Sequence, residues 1–214
     1  MRRLLIERSA SACSLSCAGF IAPCLPTASD RCKSGPEWVH EIKHDGYRLI
    51  ARRNGERVRL YTRRGFNWAD RYPRIVEALR SLPVRSIVID GEAVVCGKDG
   101  KSDFDKLHSG THDASVFLYG FDLIELDGED LRPAPLEQRK GKLEKLLARN
   151  DGMRFSEHLD GDGAIVFKHA CKLGLEGIVS KRRDLPYRSG RCRGWIKVKN
   201  AASPAVLRIQ DGTW

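Results

Sequence analysis

The chain has 214 residues, enough for one large domain or two small ones. Hydrophobic residues make up 41% of it and charged residues 31%, a soluble globular composition that excludes a disordered chain. The formal net charge of +10 favours a polyanionic partner, either nucleic acid or nucleotide phosphates, although a need for solubility explains it equally well. No apolar run approaches the ~18 residues of a membrane span, so we expect no membrane partner.

The first 20 residues are rich in Ser, Ala and Cys and show no hydrophobic period, so residues 1–20 are predicted to be an irregular extension. Glu7 and Arg8 interrupt its apolar stretch, which argues against a secretory signal peptide. The seven cysteines include no Cys-x-x-Cys pair, which indicates reduced thiols rather than disulfides or a zinc site. We therefore expect a cytoplasmic protein.

A predicted loop comes next, because Pro and Gly recur between positions 23 and 36. Strands are expected on both sides of Asn54 and Gly55, where apolar and polar residues alternate as in a half-buried sheet. The Asn-Gly pair is typical of a two-residue hairpin turn with positive φ at both positions.

Hydrophobic periodicity predicts three helices and four further strands. The helices are expected at 70–82 with Asp70 as the cap, at 136–148, and at about 162–173 before Gly174. The strands are expected at 87–95, at 115–126, in LEGIVSKR and in WIKVKN. Helices inserted among hairpin-connected strands predict an α+β fold with largely antiparallel sheets flanked by helices.

The segment EIKHDGYR, residues 41–48, places a lysine two residues before an Asp-Gly pair. A free lysine has a pKa near ~10.4 and is a poor nucleophile at neutral pH, but partial burial and neighbouring cations release the amine. Lys43 follows several apolar residues and precedes Arg48, which fits a nucleophile in a shaped site. A solvated lysine beside a hairpin turn at Asp45 and Gly46 fits the same pattern.

Carboxylates interrupt two of the predicted apolar strands. Asp90 and Glu92 lie inside one strand, and Glu176 lies at the edge of another. Buried carboxylates cost free energy unless they are paired or bound to a metal. Two glutamates from separate strands would supply oxygen ligands to Mg²⁺, whereas salt bridges to the many arginines are the alternative.

The segment 181–199 carries eight lysines and arginines and one acidic residue. Lys197 and Lys199 alternate with apolar residues, so both ammonium groups leave the strand on one face. A phosphate between them would relieve their repulsion, although such a run of charge is usually a solvated surface. Phe121, in another apolar strand, is either a core residue or a flat face for a base.

Two further patterns are not expected to form sites. In GKDGKS, residues 97–102, two residues separate the glycines, whereas a phosphate-binding P-loop needs four. His108, His112 and Asp113 resemble metal ligands, but no helix is predicted there to present both histidines.

Taken in order, these motifs resemble those of the covalent nucleotidyltransferases and, more narrowly, the adenylation domain of ATP-dependent DNA ligases. The series is K-x-D-G-x-R, Thr62-Arg63, DGE, an aromatic residue before Asp122, EGIV-x-K and K-x-K. The stretches WVHEIKHDGYR, SDFDKLH and KRRDLPYRSGRCRGWIKVKN are most similar to ligase domains of the bacterial end-joining type. The resemblance extends from about residue 20 to residue 200.

The resemblance implies an ATP-grasp-like nucleotidyltransferase fold, the cofactors ATP and Mg²⁺ or Mn²⁺, and nicked duplex DNA as the partner in repair and recombination. It implies that Lys43 attacks the α-phosphate of ATP and that the resulting AMP passes to the 5′-phosphate of a nick, which a 3′-hydroxyl then seals. By the same resemblance, Arg48, Lys197 and Lys199 contact phosphate groups, and Arg63 contacts AMP or the 5′-phosphate of the nick. Glu92 contacts the ribose or a metal, and Glu176 supports the metal. Phe121 stacks on adenine, and the carboxylate or backbone of Glu41 reads it.

The resemblance also suggests the domain organisation. Residues 21–200 are expected to form the adenylation domain and residues 201–214 a tail. Family members carry an OB-fold after the last lysine motif, but only 15 residues follow Lys199 here. We expect no C-terminal OB-fold, and either weak self-adenylylation or dependence on a separate OB-fold or end-joining protein.

Two other functions fit the same motifs. One is an RNA ligase or a GTP-using capping enzyme, which nucleotide choice and substrate would distinguish. The other is a truncated, non-catalytic nucleic-acid-binding remnant, although the catalytic motif residues within the domain are all present.

Overall fold

A computed structural model describes residues 19–211, so most of the predicted extension and the last three residues lie outside the described residues. Within that range the strands are β1 (Cys24–Ala28), β2 (Trp38–Ile42), β3 (Tyr47–Asn54), β4 (Arg57–Thr62), β5 (Ser86–Val94), β6 (Phe117–Leu126), β7 (Glu129–Asp130), β8 (Met153–Phe155), β9 (His158–Leu159), β10 (Gly177–Arg182) and β11 (Gly190–Lys199). The α-helices are α1 (Pro73–Arg80), α2 (Phe104–Ser109), α3 (Leu136–Leu147), α4 (Gly163–Lys172) and α5 (Pro204–Asp211). None of these helices is long and apolar enough to cross a membrane.

The strands form two sheets. One has the order β1-β11-β10-β2-β9, and the other has the order β4-β3-β5-β6-β7 with β8 added alongside β6. Neighbouring strands are antiparallel except in the pairs β1 with β11 and β6 with β8. The predicted α+β fold with largely antiparallel sheets is confirmed.

The two sheets pack face to face, and helices cover their outer faces. Between the sheets lies a core that includes Ile50, Phe121 and Trp195. Helix α4 covers the outer face of the five-stranded sheet, and α1, α2 and α3 contribute to the larger core on the other sheet. The β3–β4 hairpin is buried on both faces only at Ile50 and Tyr61, which face the second layer. Towards its turn that face carries partly exposed or exposed polar residues, as the predicted half-buried alternation requires.

The β3–β4 hairpin turn lies one residue later than predicted. Asn54 still pairs with Arg57 in the ladder, so the two turn residues are Gly55 and Glu56. Gly55 has φ of 57°, whereas neither Asn54 nor Glu56 has a positive φ. The turn therefore needs glycine only at its first position, as in a type II′ turn, instead of positive φ at both.

Several boundaries differ from the sequence predictions. Asp70 does not cap α1, which begins at Pro73 after Tyr72 and has no side-chain cap. The loop predicted across positions 23–36 contains β1, and residues 201–211 of the predicted tail contain α5. The short helix α2 was not predicted, although Asp103 caps it by accepting a hydrogen bond from the Lys106 amide.

Helix α3 is tied to β6 by a fully buried ion pair. The Arg139 guanidinium donates two hydrogen bonds, of 2.7 and 2.8 Å, to the Asp122 carboxylate, and neither side chain is exposed. Arg139 also donates to the carbonyls of Ala134 and Leu185. These bonds hold the segment before α3 and the loop between β10 and β11 against the ion pair. A charge pair buried this completely is tolerated because its hydrogen-bonding groups have protein partners.

Candidate active site

A cleft between the two sheets contains the predicted site residues. Its first cavity has a volume of about 440 Å³ and is bounded by residues of β1, β2, β3, β5, β6, β10 and β11. The predicted residues that line this first cavity are Glu41, Lys43, Arg48, Arg63, Glu92, Phe121 and Lys197. An adjoining second cavity of about 620 Å³ shares four of them and adds Glu176 and Lys199. The structure thus brings all nine predicted side chains to one cleft.

Lys43 lies where the chain crosses from one sheet to the other. It follows β2 of the five-stranded sheet and precedes β3 of the six-stranded sheet, so the hairpin interpretation of Asp45 and Gly46 is wrong. Gly46 has no positive φ, but a Cβ there would lie 2.2 Å from the Ala93 carbonyl oxygen. Glycine is required because the crossing segment passes directly against β5.

The Lys43 amine is held by Glu176. Its Nζ lies 2.5 Å from Glu176 Oε2, and the two side chains are 23% and 5% exposed. On the other carboxylate oxygen, Lys199 Nζ lies 3.3 Å away. Lys197 leaves the same face of β11, and its pKa is lowered by burial and by the charges of Lys43 and Lys199. A phosphate group in this cation cluster would satisfy several ammonium groups at once.

Arg48 is oriented by Asp90. Its Nε and Nη2 donate to the two Asp90 carboxylate oxygens at 2.5 and 2.8 Å, and Nη2 also donates to the Cys24 carbonyl at 3.1 Å. The guanidinium carbon lies 4.3 Å from the centre of the Phe121 ring. These bonds leave Nη1 for a ligand oxygen, so a phosphate contact by Arg48 remains compatible with the structure.

Glu92 is half-buried and faces Lys43 and Arg48 across the first cavity. Burial raises the pKa of its carboxyl to about 7, although the two nearby cations oppose this increase. The carboxyl can form a hydrogen bond with a hydroxyl group or, when deprotonated, bind a cation, which fits the predicted ribose or metal contact. Within residues 19–211, no three His, Cys, Asp or Glu side chains are grouped as a metal site. Glu92 and Glu176 would therefore hold Mg²⁺ only together with phosphate oxygens or water, as this ion commonly allows.

Replacing Glu92 with Gln is expected to change the pH dependence of stability. The folded carboxyl has a pKa of about 7 instead of the ordinary 4.5, so Glu92 lowers the free energy of unfolding as the pH rises from about 4.5 through about 7. Thermal melts should give similar midpoints for E92Q and the unchanged chain at pH 5 and a higher midpoint for E92Q at pH 8. The exposed Glu129→Gln serves as the control, and a difference that is independent of pH would contradict the assignment.

The inner end of the first cavity is aromatic. Phe121 and Trp195 meet edge to face, and the Lys181 ammonium lies 4.3 and 4.0 Å from their ring centres. Phe121 is only 7% exposed, so it is a core residue that also lines the first cavity, and its stacking on a base stays a prediction. An apolar, aromatic end opposite a cationic end suits a nucleoside with its phosphates.

The Glu41 carboxylate is enclosed by a buried network. Lys140 donates to Oε1 at 2.8 Å, while Lys181 and Ser156 donate to Oε2 at 2.8 and 3.3 Å. Burial alone would raise the pKa of Glu41, but the two ammonium groups hold it below its ordinary value. Burial lowers the pKa of Lys181 to about 8, against the pull of Glu41. The carboxylate is therefore charged and fixed in direction, and because Glu41 is only 2% exposed, its predicted contact with adenine is restricted to the part of the residue that lines the first cavity.

The two rejected patterns are not assembled into sites. His108 contacts Tyr47, His112 contacts Thr111, and Asp113 forms an ion pair with Arg71. The metal interpretation of the histidines thus has no support, although His108 does lie on a helix that the sequence did not predict. Residues 97–102 form a turn closed by the bridge between Cys96 and Ser102.

Three contributors to the cleft were missed by the sequence reasoning. His44 stacks on Tyr119 with ring centres 3.9 Å apart, and burial lowers its pKa to about 4, so it is neutral at physiological pH. Strand β1 supplies one wall of the first cavity, and Arg208 of α5 lines the second. The position of His44 inside the lysine motif was a usable signal, whereas the other two depend on long-range packing.

Comparisons with known proteins agree with this geometry. Residues 21–199 match the family model described as ATP dependent DNA ligase domain. The chain is 40% identical over 185 residues to the multifunctional non-homologous end joining protein LigD of Pseudomonas aeruginosa, covering 84% of this chain and 22% of that protein. It is 37% identical over 172 residues to the LigD of Mycobacterium tuberculosis, covering 80% of this chain and again 22% of that protein. The chain thus spans about a fifth of the length of these relatives.

Solved structures show the same fold. A mycobacterial DNA ligase D complexed with ATP and MES superposes with a TM-score of 0.73 at 36% identity, covering 83% of this chain and 60% of that one. The Chlorella virus DNA ligase-adenylate, at 16% identity and a TM-score of 0.62, shares the fold over 84% of this chain and 69% of that one.

Proposed function

The chain belongs to the family of ATP-dependent DNA ligase domains, and from this premise we propose that it transfers AMP from ATP through Lys43 to the 5′-phosphate of nicked duplex DNA in end-joining repair. Within it, residues 21–200 are proposed to form the adenylation domain. The observation that carries the proposal is the Lys43 amine, which lies where the two cavities meet, beside Glu176 and the β11 lysines.

In the first step, Lys43 Nζ attacks the α-phosphorus of ATP. A nitrogen–phosphorus bond forms, the bond to the β-phosphate bridging oxygen breaks, and pyrophosphate leaves while the amine loses its protons to Glu176 or water. Lys197, Lys199 and Arg48 neutralise the phosphate charge that this step redistributes. The base lies in the aromatic inner end, where Glu41 and Phe121 recognise it.

In the later steps the lysyl-AMP donates its AMP. A 5′-phosphate oxygen of the nick attacks the AMP phosphorus and the Lys43 amine leaves with a proton. The 3′-hydroxyl then loses its proton to water and attacks the phosphorus of the adenylylated 5′-phosphate. The bond from this phosphorus to the bridging oxygen breaks, and AMP departs. Arg63, exposed at the rim of both cavities, is proposed to contact AMP or the 5′-phosphate.

A divalent cation, Mg²⁺ or Mn²⁺, is a proposed cofactor, which when bound would neutralise phosphate oxygens. Glu92 and Glu176 are the residues that would hold it. An OB-fold from another segment or another protein is a proposed partner, because the sheets within residues 19–211 do not include one.

The test is label transfer from ATP carrying ³²P at the α-phosphate, in the presence of Mg²⁺. We expect label bound covalently to the protein from ATP and not from GTP, and its onward transfer to nicked DNA. Preference for GTP or for RNA ends would favour the alternative nucleotidyltransferases. Absence of label, together with no sealing of a pre-adenylylated nick, would favour the non-catalytic nucleic-acid-binding alternative.

A further inference from the structure

Helix α5 lies against the second cavity and belongs to none of the motifs described above. The Asn200 amide and side chain just before it donate to the carbonyls of Glu176 at 2.9 Å and Leu175 at 3.1 Å. Ser203 donates to the Asn200 carbonyl at 2.8 Å, and Ala205 is buried. The start of α5 is therefore anchored beside the carboxylate that holds Lys43.

Arg208 extends from α5 into the wall of the second cavity. Its Nη2 donates to Asp45, the aspartate of the lysine motif, and its Nη1 lies 3.8 Å from Asp105. Its guanidinium carbon lies 4.7 Å from the centre of the Phe104 ring, and the side chain is 19% exposed. Two carboxylates and one aromatic face thus fix the direction of this guanidinium.

The guanidinium retains donors for a ligand. Of its five N–H groups, only one forms a hydrogen bond with the described part of the chain. A carboxylate that orients an arginine while leaving its outer N–H groups open is a common way to preorganise a phosphate contact.

The second cavity has the charge of a phosphate site. Three carboxylate side chains line it, against six cationic ones. The cationic residues are Lys43, Arg48, Arg63, Arg64, Lys199 and Arg208. Because one of the carboxylates, Glu176, is already paired with two lysines, the cavity favours an anion.

We propose that Arg208 is a phosphate-binding residue of this site, which holds a phosphate group beside Lys43 during AMP transfer. This inference rests on the proposed function and adds a phosphate-contacting residue that lies outside the sequence motifs. The phosphate comes either from the β- and γ-phosphates of ATP or from the 5′ end of the DNA strand. Both sources offer the same oxygens, so two reactions are needed to distinguish them.

The test compares Arg208→Gln with the unchanged chain in self-adenylylation from ATP and in sealing of a pre-adenylylated nick, which needs no pyrophosphate departure. Gln can still donate to Asp45 but lacks the charge. If Arg208 holds the ATP tail, KM for ATP should rise roughly tenfold or more while sealing is unchanged. If it holds the strand end, sealing should fall by a similar factor and the KM for ATP should stay constant.

Inorganic tripolyphosphate provides a measurement that is independent of activity. The unchanged chain is expected to bind it more tightly than R208Q in a calorimetric titration. Leu207→Ala, an exposed position on the same helix, is the matched control and should leave all three measurements unchanged. If R208Q does not fold, Arg208→Lys takes its place in the test, because lysine keeps a positive charge near Asp45 but lacks the planar guanidinium. Arg208→Lys should weaken tripolyphosphate binding without lowering the melting temperature.

Unchanged KM, sealing and tripolyphosphate binding in a folded Arg208 variant would overturn the proposal. So would a faster reaction, which would mean that α5 blocks the cavity. If the chain without substitutions neither takes up label nor seals an adenylylated nick, the proposed function is refuted instead. The comparison of tripolyphosphate binding would then test the role of Arg208 by itself.

Discussion

Lys43→Ala is expected to abolish covalent AMP labelling and to slow ATP-dependent sealing by roughly 10⁴-fold or more, as the loss of a covalent nucleophile does. The physical reason is that, within residues 19–211, no other lysine both pairs with Glu176 and lines both cavities. Acid-stable and acid-labile label should be measured separately, because a phosphoramidate is lost in acid. Retention of full acid-labile label in the variant would assign the nucleophile elsewhere.

Two control variants separate nucleophilicity from charge. Lys43→Arg keeps a cation beside Glu176 but has a pKa too high to release a proton, so it should fold and stay unlabelled. Lys145→Ala removes an exposed lysine from α3 and should label normally. Label in Lys43→Arg equal to that of the unchanged chain would contradict the proposed role of the amine.

Arg139→Met is expected to lower the free energy of unfolding by about 3–5 kcal/mol, the usual cost of leaving one member of a buried ion pair alone. Asp122 would remain in a fully buried position without its two guanidinium hydrogen bonds. Burial already raises the pKa of Asp122 against the effect of Arg139, so the carboxyl would take up a proton in the variant. Urea unfolding at constant m-value measures the loss.

The matched control is the double variant Asp122→Leu with Arg139→Met. Replacing both charges by apolar groups of similar size should recover much of the stability lost by Arg139→Met alone. The Ala134 carbonyl would still lack its donor, and the Leu185 carbonyl would keep only its hydrogen bond from the Leu136 amide, so the recovery should be incomplete. If the Arg139→Met variant were as stable as the chain without substitutions, the ion pair between Asp122 and Arg139 would contribute little to stability.

The sequence was informative where structure depends on local pattern. Alternation predicted β3 and β4, apolar β-branched runs predicted β5 and β6, and Gly174 marked the end of α4. The strand β1 was missed because Pro23 and Pro26 indicate a loop, and its partner β11 lies more than 160 residues away. The short helix α2 was missed because six residues carry too little periodicity to be recognised.

The candidate site divides along similar lines. The order of the motifs predicted that Lys43, Glu92 and Glu176 meet, although the residues around Lys43, taken alone, favoured a solvated lysine beside a turn. Nothing local in the sequence indicated that Lys140 of α3 would be buried against Glu41, since a lysine in a helix normally faces water. The same holds for Arg208, whose partner Asp45 is distant in the chain and close only in the folded protein.

The pairing of β1 with β11 also determines when the domain can become complete during synthesis. Residues Leu25–Ala28 line the first cavity, yet their strand adds to the sheet only beside residues 190–197. A ribosome must therefore release almost the entire domain before this wall can form, and contacts of such high sequence separation slow folding. A nascent chain stalled ahead of residue 190 would consequently contain Lys43, the proposed nucleophile, but lack this wall of the first cavity.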